Sequence, residues 1–224
     1  RDSLNETADS VREIYPDIDI KHSLDTQPIL ERDMAVRSGL GWFGKNSMLI
    51  SKKHGSYLML GSLLFSKKLD LEQKKEEVDH CGQCTRCIVE CPTDAISENG
   101  RTIDSNKCIS TYTIQLFKDV SSPPEGMDKS NGELFGCDIC QEVCPWNKRV
   151  LRVNSVDKTI ILDGTKEREK IFNFFLKRPL KNIQEDLEGM SNRQYQREFF
   201  GTAMQRTGRQ GLLKNIKFYL NRNK

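Results

Sequence analysis

The spacing of apolar residues changes twice along this chain of 224 residues and predicts three regions. In the first region, apolar positions recur at helical spacing over residues 4–14, and Pro28 opens a second helix that runs to residue 36. Short extended runs at residues 18–20, 48–50 and 57–65 predict strands, the last two joined by a turn containing Gly55. The first region is therefore mixed α/β.

The third region shows only helical spacing. Apolar positions predict helices over residues 166–176, 180–187, 192–206 and 211–220, with glycines between them that mark bends or close helix contacts. This pattern is typical of stacked helical hairpins. A charged stretch, residues 69–77, separates the first region from a middle region in which cysteines occupy positions 81 to 144. We expect an α+β protein with domains at residues 1–75, 76–150 and 151–224.

Bulk composition predicts a water-soluble chain. Hydrophobic residues make up 36% and charged residues 30% of the sequence. The longest apolar runs are far too short to cross a bilayer, and no apolar segment follows a basic start as in an export signal. We therefore expect a cytoplasmic location and no membrane partner. The chain begins at Arg1 rather than Met, and we expect that an upstream segment is missing.

Positive charge is concentrated at the end of the chain. Between Arg193 and Lys224 there are eight basic residues and one acid, Glu198. A block of this kind attracts polyanions such as nucleic acids. A solvated helical face would explain the same charges, and the sequence leaves both interpretations open.

The middle region carries the chemistry. Its first cysteine run is Cys81-x2-Cys84-x2-Cys87-x3-Cys91-Pro92. This is the spacing of bacterial ferredoxins, in which three cysteines wrap one [4Fe–4S] cluster and the fourth reaches a second cluster. Thiolates are the ligands that iron–sulfur clusters favour.

The second half of the ferredoxin pattern is interrupted. Cys108 stands apart, and residues 109–136 precede Cys137-x2-Cys140-x3-Cys144-Pro145. We interpret residues 109–118 as an inserted helix, followed by a polar loop at residues 121–124. The exchange of ligands between the two halves predicts two clusters. The first would take Cys81, Cys84, Cys87 and Cys144, and the second Cys91, Cys108, Cys137 and Cys140.

Other uses of eight cysteines are less consistent with the spacing. Zinc sites use pairs of Cys-x2-Cys and need neither a third cysteine at the same step nor a trailing Cys-Pro. Disulfides are disfavoured because the chain shows no export signal. A plain electron carrier needs only the cluster module, whereas long segments flank it here. Those flanks indicate that the electrons are used within the same polypeptide.

Two further motifs resemble those of the epoxyqueuosine reductase family. Residues 23–47 (SLDTQPILERDMAVRSGLGWFGKNS) and residues 200–215 (FGTAMQRTGRQGLLKN) are similar to signature stretches of that family, and the split ferredoxin pattern lies between them in the same order. Family members begin further upstream than this chain does. The resemblance implies a cobalamin-dependent reductase that removes the epoxide oxygen of epoxyqueuosine in tRNA. It also implies a cobalamin-binding domain, a ferredoxin-like domain with two [4Fe–4S] clusters and a helical tail similar to HEAT repeats.

The resemblance assigns Asp25 as the proton donor, which acts only if burial keeps its carboxyl group protonated. The alternative is that Asp25 caps the helix that begins near Pro28. No histidine lies in a cobalt-ligating pattern, so His22, His54 and His80 are expected to be ordinary surface or turn residues. The glycine-rich stretch at residues 39–47 would let backbone approach the corrin ring. The expected cobalamin contacts are Asn46, Ser47, Leu49, Leu60, Ser110 and Asp138.

The expected partners are tRNA and an external electron donor, and the protein is expected to be a monomer. Candidate phosphate contacts in the basic tail are Arg197, Arg206, Arg209 and Lys214. Two alternatives remain. A reductive dehalogenase would share the corrinoid and the clusters but would not explain the basic tail. A ferredoxin-type electron-transfer protein would contain no corrinoid.

Overall fold

The first region combines two helices with two small antiparallel sheets. The computed structural model describes residues 2–25, 27–72, 74–116, 122–153, 166–176 and 178–222. Strand β1 pairs with β4, and β2 pairs with β3 so that Trp42 lies opposite Ile50. The elements of this region are α1 (Asp2–Ile14), β1 (Ile20–Ser23), α2 (Glu31–Arg37), β2 (Trp42–Phe43), β3 (Leu49–Ile50) and β4 (Ser62–Phe65).

The β2–β3 hairpin attaches the first region to the cysteine-bearing region. Trp42 and Ile50 are both buried and pack against Cys144. The hairpin closes tightly because Gly41 has no side chain: a Cβ atom there would overlap the carbonyl oxygen of Ile50. Only glycine permits such an approach between two backbones.

Most predicted elements of the first region are confirmed. The predicted helices at residues 4–14 and 28–36 appear as α1 and α2, although α2 begins at Glu31. The prediction of a strand over residues 57–65 is wrong in its first half, since β4 covers only Ser62–Phe65. Residues 57–61 carry the apolar side chains of a strand but pair with no neighbouring strand.

The middle region consists of loops and short helices. These are α3 (Arg86–Val89), a 3₁₀ turn (Met127–Lys129), α4 (Ile139–Glu142) and α5 (Pro145–Val153). The helix predicted over residues 109–118 is confirmed in part: residues 109–110 are α-helical and a π-helix occupies Thr111–Gln115, while residues 117 and 118 lie outside the described residues. Ser121, in the predicted polar loop, also lies outside them.

The π-helix has a local cause. The buried Thr113 hydroxyl donates to the carbonyl of Ile109 at 2.8 Å and accepts the backbone N–H of Gly136 at 3.1 Å. Threonine that bonds back to its own helix weakens the regular ladder. π-Turns are often found at functional sites. This one begins three residues after Cys108.

The tail is helical, as predicted, but its boundaries differ. Helix α8 starts with a capping box between Ser191 and Gln194. The prediction of one helix over residues 192–206 is wrong because α8 ends at Glu198 and the buried Phe199 turns into the core. Helix α9 is kinked at Gly208, whose φ is 69°. The tail comprises α6 (Lys166–Phe175), α7 (Leu180–Gly189), α8 (Asn192–Glu198) and α9 (Met204–Arg222).

Helix α9 fixes the tail to the chain between Cys108 and Cys137. The buried amide of Asn215 donates to the carbonyls of Thr113 and Leu134, each at 2.9 Å. The Tyr219 hydroxyl lies 2.8 Å from that of Ser130. The tail therefore packs directly on the inserted segment of the ferredoxin pattern.

Helices with two small sheets agree with the predicted α+β class. The domain limits at residues 75 and 150 and the HEAT-like character of the tail stay predictions. Over the ranges that the structure describes, no helix combines the length and the apolar character needed to cross a membrane.

Candidate iron–sulfur centre

Four cysteines line one cavity of about 190 Å³. Cys81 and Cys84 lie on the loop before α3, and Cys87 is in α3. Cys144 immediately precedes α5 and comes from far along the chain. We call these four the first cysteine group. They are the four residues that the spacing assigns to the first cluster.

The remaining four cysteines form a second cysteine group: Cys91, Cys108, Cys137 and Cys140. The charges of Cys108 and Cys91 disfavour ionisation of Cys137 and so add to the rise in its pKa. The charges of the other three members and of Cys87 disfavour ionisation of Cys140 and raise its pKa. Because Cys87 belongs to the first group, the two groups are neighbours. This set matches the one that the spacing assigns to a second cluster.

Burial and the charges of neighbouring cysteines raise the pKa of several of these thiols. Burial, with the neighbouring cysteines adding to it, raises the pKa of Cys87 to about 11 and that of Cys140 to about 12. Burial also raises the pKa of Cys137 to about 11. Only thiolates bind metal, so cluster binding must displace protons from these sites.

Backbone N–H groups point at the sulfur atoms. The N–H of Ala95 donates to Cys91 Sγ at 3.4 Å. Those of Trp146 and Asn147 bond to Cys144, and that of Ile139 bonds to Cys137; each lowers the pKa of its thiol. Hydrogen bonds to cluster sulfurs are one means by which proteins set the potential of an iron–sulfur cluster.

All eight cysteines are available as metal ligands, because all are free rather than paired as disulfides. In a [4Fe–4S] cluster each of four thiolates binds a different iron, so each cysteine group has the number of ligands that one cluster needs.

An aromatic and cationic wall surrounds the first cysteine group. Trp42 lies edge-on to His80 and to Trp146, with ring centroids 4.9 Å apart in both cases. Lys45 donates to the carbonyls of Gly82 at 2.7 Å and Cys84 at 3.0 Å. The prediction that His80 is an ordinary surface residue is therefore wrong, since His80 lines the cavity.

The other two histidines do not line this cavity. His54 is exposed in a turn, as predicted. His22 is half-buried in β1, and its Nε2 is buried without a hydrogen-bond partner.

A buried polar network joins the loop before residue 57 to the cysteine helices. Asn147 accepts the N–H of Ser56 at 2.6 Å and donates to the Ser56 hydroxyl and the Gln141 carbonyl, both at 2.8 Å. The side-chain amide of Gln141 in turn donates to the Asp138 carboxylate at 2.5 Å. Sequence reasoning missed Ser56, Gln141 and Asn147. The single signal was their position beside Gly55 and beside the cysteines.

Tyr57 follows this network and faces the second cysteine group. Burial first, then the charges of Asp138 and Glu142, raise the pKa of Tyr57 to about 12. Cys140 and Cys144 contribute in the same direction. The aromatic ring therefore lies near the point where the two cysteine groups meet.

Asp25 lies at the end of β1 in a left-handed conformation, with φ of 51°. Its carboxylate is 77% exposed and lies 3.6 Å from Arg206 in α9. Its N–H donates to the Glu31 side chain at 2.7 Å. The alternative that Asp25 caps α2 is wrong, because Leu30 occupies the cap position and no side chain caps the helix.

The candidate phosphate contacts have different surroundings. Arg197 is exposed. Arg206 reaches both Asp25 and the side chain of Gln115, and Arg209 donates to Asn192 and to the carbonyl of Leu187. Lys214 donates to the carbonyls of Tyr112 and Leu116 and lies over the Tyr112 ring. The first three lie at the surface or at its edge, whereas Lys214 is engaged within the fold.

Comparison with known proteins matches both the cysteine region and the whole chain. Residues 80–147 match a family model described as a 4Fe-4S double cluster binding domain. An epoxyqueuosine reductase from Cyclobacterium marinum is 34% identical over 99% of this chain and 64% of its own length. One from Synechocystis sp. is 37% identical over 85% of this chain and 60% of its own length.

The chain is similar to epoxyqueuosine reductases in sequence and in fold.

Solved epoxyqueuosine reductases share the fold. The structure from Streptococcus thermophilus superposes with a TM-score of 0.73 at 25% identity, covering 99% of this chain and 53% of that one. A crystal structure of an epoxyqueuosine reductase with an epoxyqueuosine-modified tRNA stem loop superposes with a TM-score of 0.70 at 27% identity. It covers 99% of this chain and 54% of that one. The chain thus spans between half and two thirds of the length of these four epoxyqueuosine reductases.

The cobalamin contacts expected from epoxyqueuosine reductases divide into two sets. Asn46, Ser47 and Leu49 are buried, and the Asn46 amide is already bonded to the Cys140 carbonyl at 3.3 Å. Ser47 Oγ is buried and has no hydrogen-bond partner among the described residues. Leu60 and Ser110 are half-buried, and Asp138 is exposed. The structure brings Asp138 close to Tyr57 beside the second cysteine group, while Asn46 lines the cavity of the first.

Proposed function

We propose that this protein reduces epoxyqueuosine to queuosine in tRNA. It does so with a cobalamin cofactor and two [4Fe–4S] clusters bound by the two cysteine groups. One observation carries the proposal: three neighbouring cysteines and the distant Cys144 line a single cavity, inside a chain similar to epoxyqueuosine reductases over 99% of its length. A plain ferredoxin would explain the cavity but not the similarity of the flanks.

The two cysteine groups support two clusters rather than one. Each contains four free cysteines, which is the ligand number of a [4Fe–4S] cluster. Each takes a residue from the other half of the ferredoxin pattern: Cys144 joins the first group and Cys91 the second. When bound, the clusters transfer single electrons and the corrinoid cobalt delivers reducing equivalents to the substrate.

The chain's own residues fit a corrinoid in part. Ser47 offers a buried hydroxyl with no partner, and Tyr57, Leu60, Ser110 and Asp138 would form the surface that faces the ring. Met59, in the same segment, is 96% exposed. Exposed apolar side chains in a row indicate a surface that another group covers. Asn46 would position the second cysteine group through Cys140 instead of contacting the corrinoid.

Asp25 would supply a proton to the departing oxygen. Loss of an epoxide oxygen creates alkoxide character, which needs an acid near neutral pH. The reaction consumes two electrons and two protons, and it leaves an alkene and water. Asp25 is exposed in the described chain. We expect bound substrate and corrinoid to remove it from water so that the carboxyl group holds its proton.

The basic tail would bind the RNA backbone. Arg197, Arg206 and Arg209 lie at or near the surface of α8 and α9, where phosphates could reach them. Reversing two of these charges, with Arg206→Glu and Arg209→Glu, should weaken binding to a tRNA stem loop and reduce the salt slope by about 2. The reversal Lys67→Glu with Lys68→Glu, in an exposed segment after β4, is the control. Unchanged affinity at low salt would remove the tail from RNA binding.

The central experiment is anaerobic preparation of the protein followed by iron, sulfide and cobalamin analysis together. We expect about eight iron atoms per chain from two four-iron clusters, and a corrinoid absorption band after cobalamin is added. Epoxyqueuosine-containing tRNA should then yield queuosine under reducing conditions. Protein that holds iron but takes up no corrinoid would be an electron-transfer protein, and the proposal would fail. Corrinoid binding with no activity on the RNA would point instead to a dehalogenase-like substrate.

A further inference from the structure

The surface over the first cysteine group is cationic. Lys45 and Arg86 are the charged residues that line its cavity, and no carboxylate lines it. Arg149 lies over the ring of Trp146, 5.6 Å from its centroid, and Trp146 also lines the cavity. Among the described residues neither Arg86 nor Arg149 has an ion-pair partner. Both side chains are exposed.

Two carboxylates near this surface are paired with other cations. Glu77 pairs with Lys52 at 2.7 Å. Asp79 pairs with Arg101 and accepts the N–H of Cys81. Neither of these carboxylates pairs with Arg86 or Arg149. Positive charge at the surface attracts partners of the opposite sign.

The second cysteine group has the opposite character. Glu133 contributes to the raised pKa of Cys137, and Asp138 and Glu142 lie near Cys140 and Tyr57. Helix α9 and the π-helix also pack against this side, where Cys137 contacts the cluster of Ile109, Tyr112 and Tyr219. The first group is therefore the one that has both positive charge around it and side chains exposed to solvent beside it.

We propose that the surface formed by Arg86, Trp146 and Arg149, which we call the uptake face, docks a small acidic electron-carrier protein. Electrostatic steering of this kind raises association rates, and electron-transfer encounters typically use small interfaces. Trp146 is two residues from Cys144 and forms part of the cavity wall, so a docked donor would stand one side chain away from the cluster site. The proposal requires cluster binding by the first cysteine group but no particular organic substrate.

The electron balance is simple. In each encounter the carrier is oxidised by one electron and the protein's iron–sulfur centre is reduced by one. Two encounters supply the two electrons of the proposed epoxide reduction, and the two protons come from Asp25 and solvent. The reaction therefore needs a low-potential one-electron donor and no further co-reactant.

The test follows reduction of the clusters directly and does not depend on activity toward RNA. Cluster-loaded protein is mixed anaerobically with an acidic flavodoxin in its hydroquinone form, and bleaching of the cluster absorbance is timed by stopped flow. The variant with Arg86→Glu and Arg149→Glu should lower the second-order rate constant by about tenfold or more at low salt. The unmodified protein should react more slowly as salt is added, and the variant should lose that dependence.

Two controls separate docking from other effects. Lys67→Glu with Lys68→Glu changes the net charge equally at an exposed site outside the uptake face, and its rate should stay within about twofold of the unmodified protein. Reduced methyl viologen, a small cation, should reduce the clusters of the arginine variant at least as fast as those of the unmodified protein. If Arg86→Glu lowers the iron content because Arg86 lines the cavity, Arg149→Glu alone carries the test, with a loss of about threefold expected. An unchanged flavodoxin rate, or an equal loss in the lysine control, would overturn the uptake face.

Discussion

The two cysteine groups share a ligand pattern but differ in what surrounds them. The first group is enclosed by Trp42, His80 and Trp146 from two regions of the chain, and cations flank it. The second group borders carboxylates and rests on the helical tail through Tyr112 and Tyr219. Equal ligands in unequal surroundings imply unequal stability and unequal potential. The two groups would thus bind clusters that differ in reduction potential.

The difference comes from segments outside the ferredoxin pattern. The β2–β3 hairpin supplies Trp42 to the first group, and the inserted π-helix supplies the platform on which α9 packs near the second. A ferredoxin that lacked both segments would leave its clusters in more similar environments. The hairpin and the inserted π-helix would therefore set the asymmetry of the centre.

The largest expected effect comes from removing one ligand of each group in separate proteins. Cys144→Ala should lose the first cluster, and Cys140→Ala the second. Each should leave about half of the iron, since each removes one four-iron cluster. Iron and sulfide analysis with electron paramagnetic resonance of the reduced protein would show two different residual spectra. If either change removed all of the iron, the groups would not be independent sites.

Spacing in the sequence was enough to divide the eight cysteines into two groups but not to predict what surrounds each group. The thiols fall into two groups because ferredoxin spacing is a local property of two short loops. The partnership of Asn147 with Ser56 could not be anticipated, since it joins residues that are distant in the chain and carry no periodic signal. The end of α8 at Glu198 was missed because Tyr195 and Phe199 continue the helical spacing while Phe199 turns into the core.

The next effect concerns the polar network beside the first group. Asn147→Ala would leave the N–H of Ser56 unpaired in a buried site and would remove one of the two bonds to the carbonyl of Gln141, which still accepts the N–H of Cys144. The unmet N–H costs about 1–3 kcal/mol. We expect a lower melting temperature and faster release of iron from the first cluster to a chelator. Asn131→Ala, at an exposed position, should change stability by less than about 0.5 kcal/mol.

A matching change tests the tail beneath the second group. Asn215→Ala removes the two bonds to the carbonyls of Thr113 and Leu134 and should cost about 1–3 kcal/mol. Iron release from the second cluster should accelerate more than release from the first, the reverse of the Asn147→Ala result. The two variants should thus have opposite effects on the two clusters. The measurement is the biphasic loss of cluster absorbance after a chelator is added. If both accelerate the same phase, the two groups do not depend on separate supports.

The smallest effect is a pH dependence at Lys214, on the same side of the molecule. Burial lowers the pKa of Lys214 from 10.5 to about 8 in the folded chain. Between those values the unfolded chain binds the proton more tightly, so this residue adds stability as the pH rises from about 8 toward 10.5. Below pH 8 the cost of burying the charged amine is fully present. Lys214→Met should therefore be least destabilising at pH 7 and more destabilising at pH 9.5.

Urea unfolding of Lys214→Met and of the unmodified protein at both pH values measures this difference, and shared titrations of tyrosines and cysteines cancel in the comparison. Lys217→Met is the matched control, because Lys217 is exposed and pairs with Glu188 at 2.9 Å. It should show little change with pH. A Lys214→Met penalty that shrinks as the pH rises would mean that its bonds to Tyr112 and Leu116 favour the charged amine more than burial opposes it. In that case the platform under the second group would depend on a buried cation, and its cluster should be lost at alkaline pH before the first.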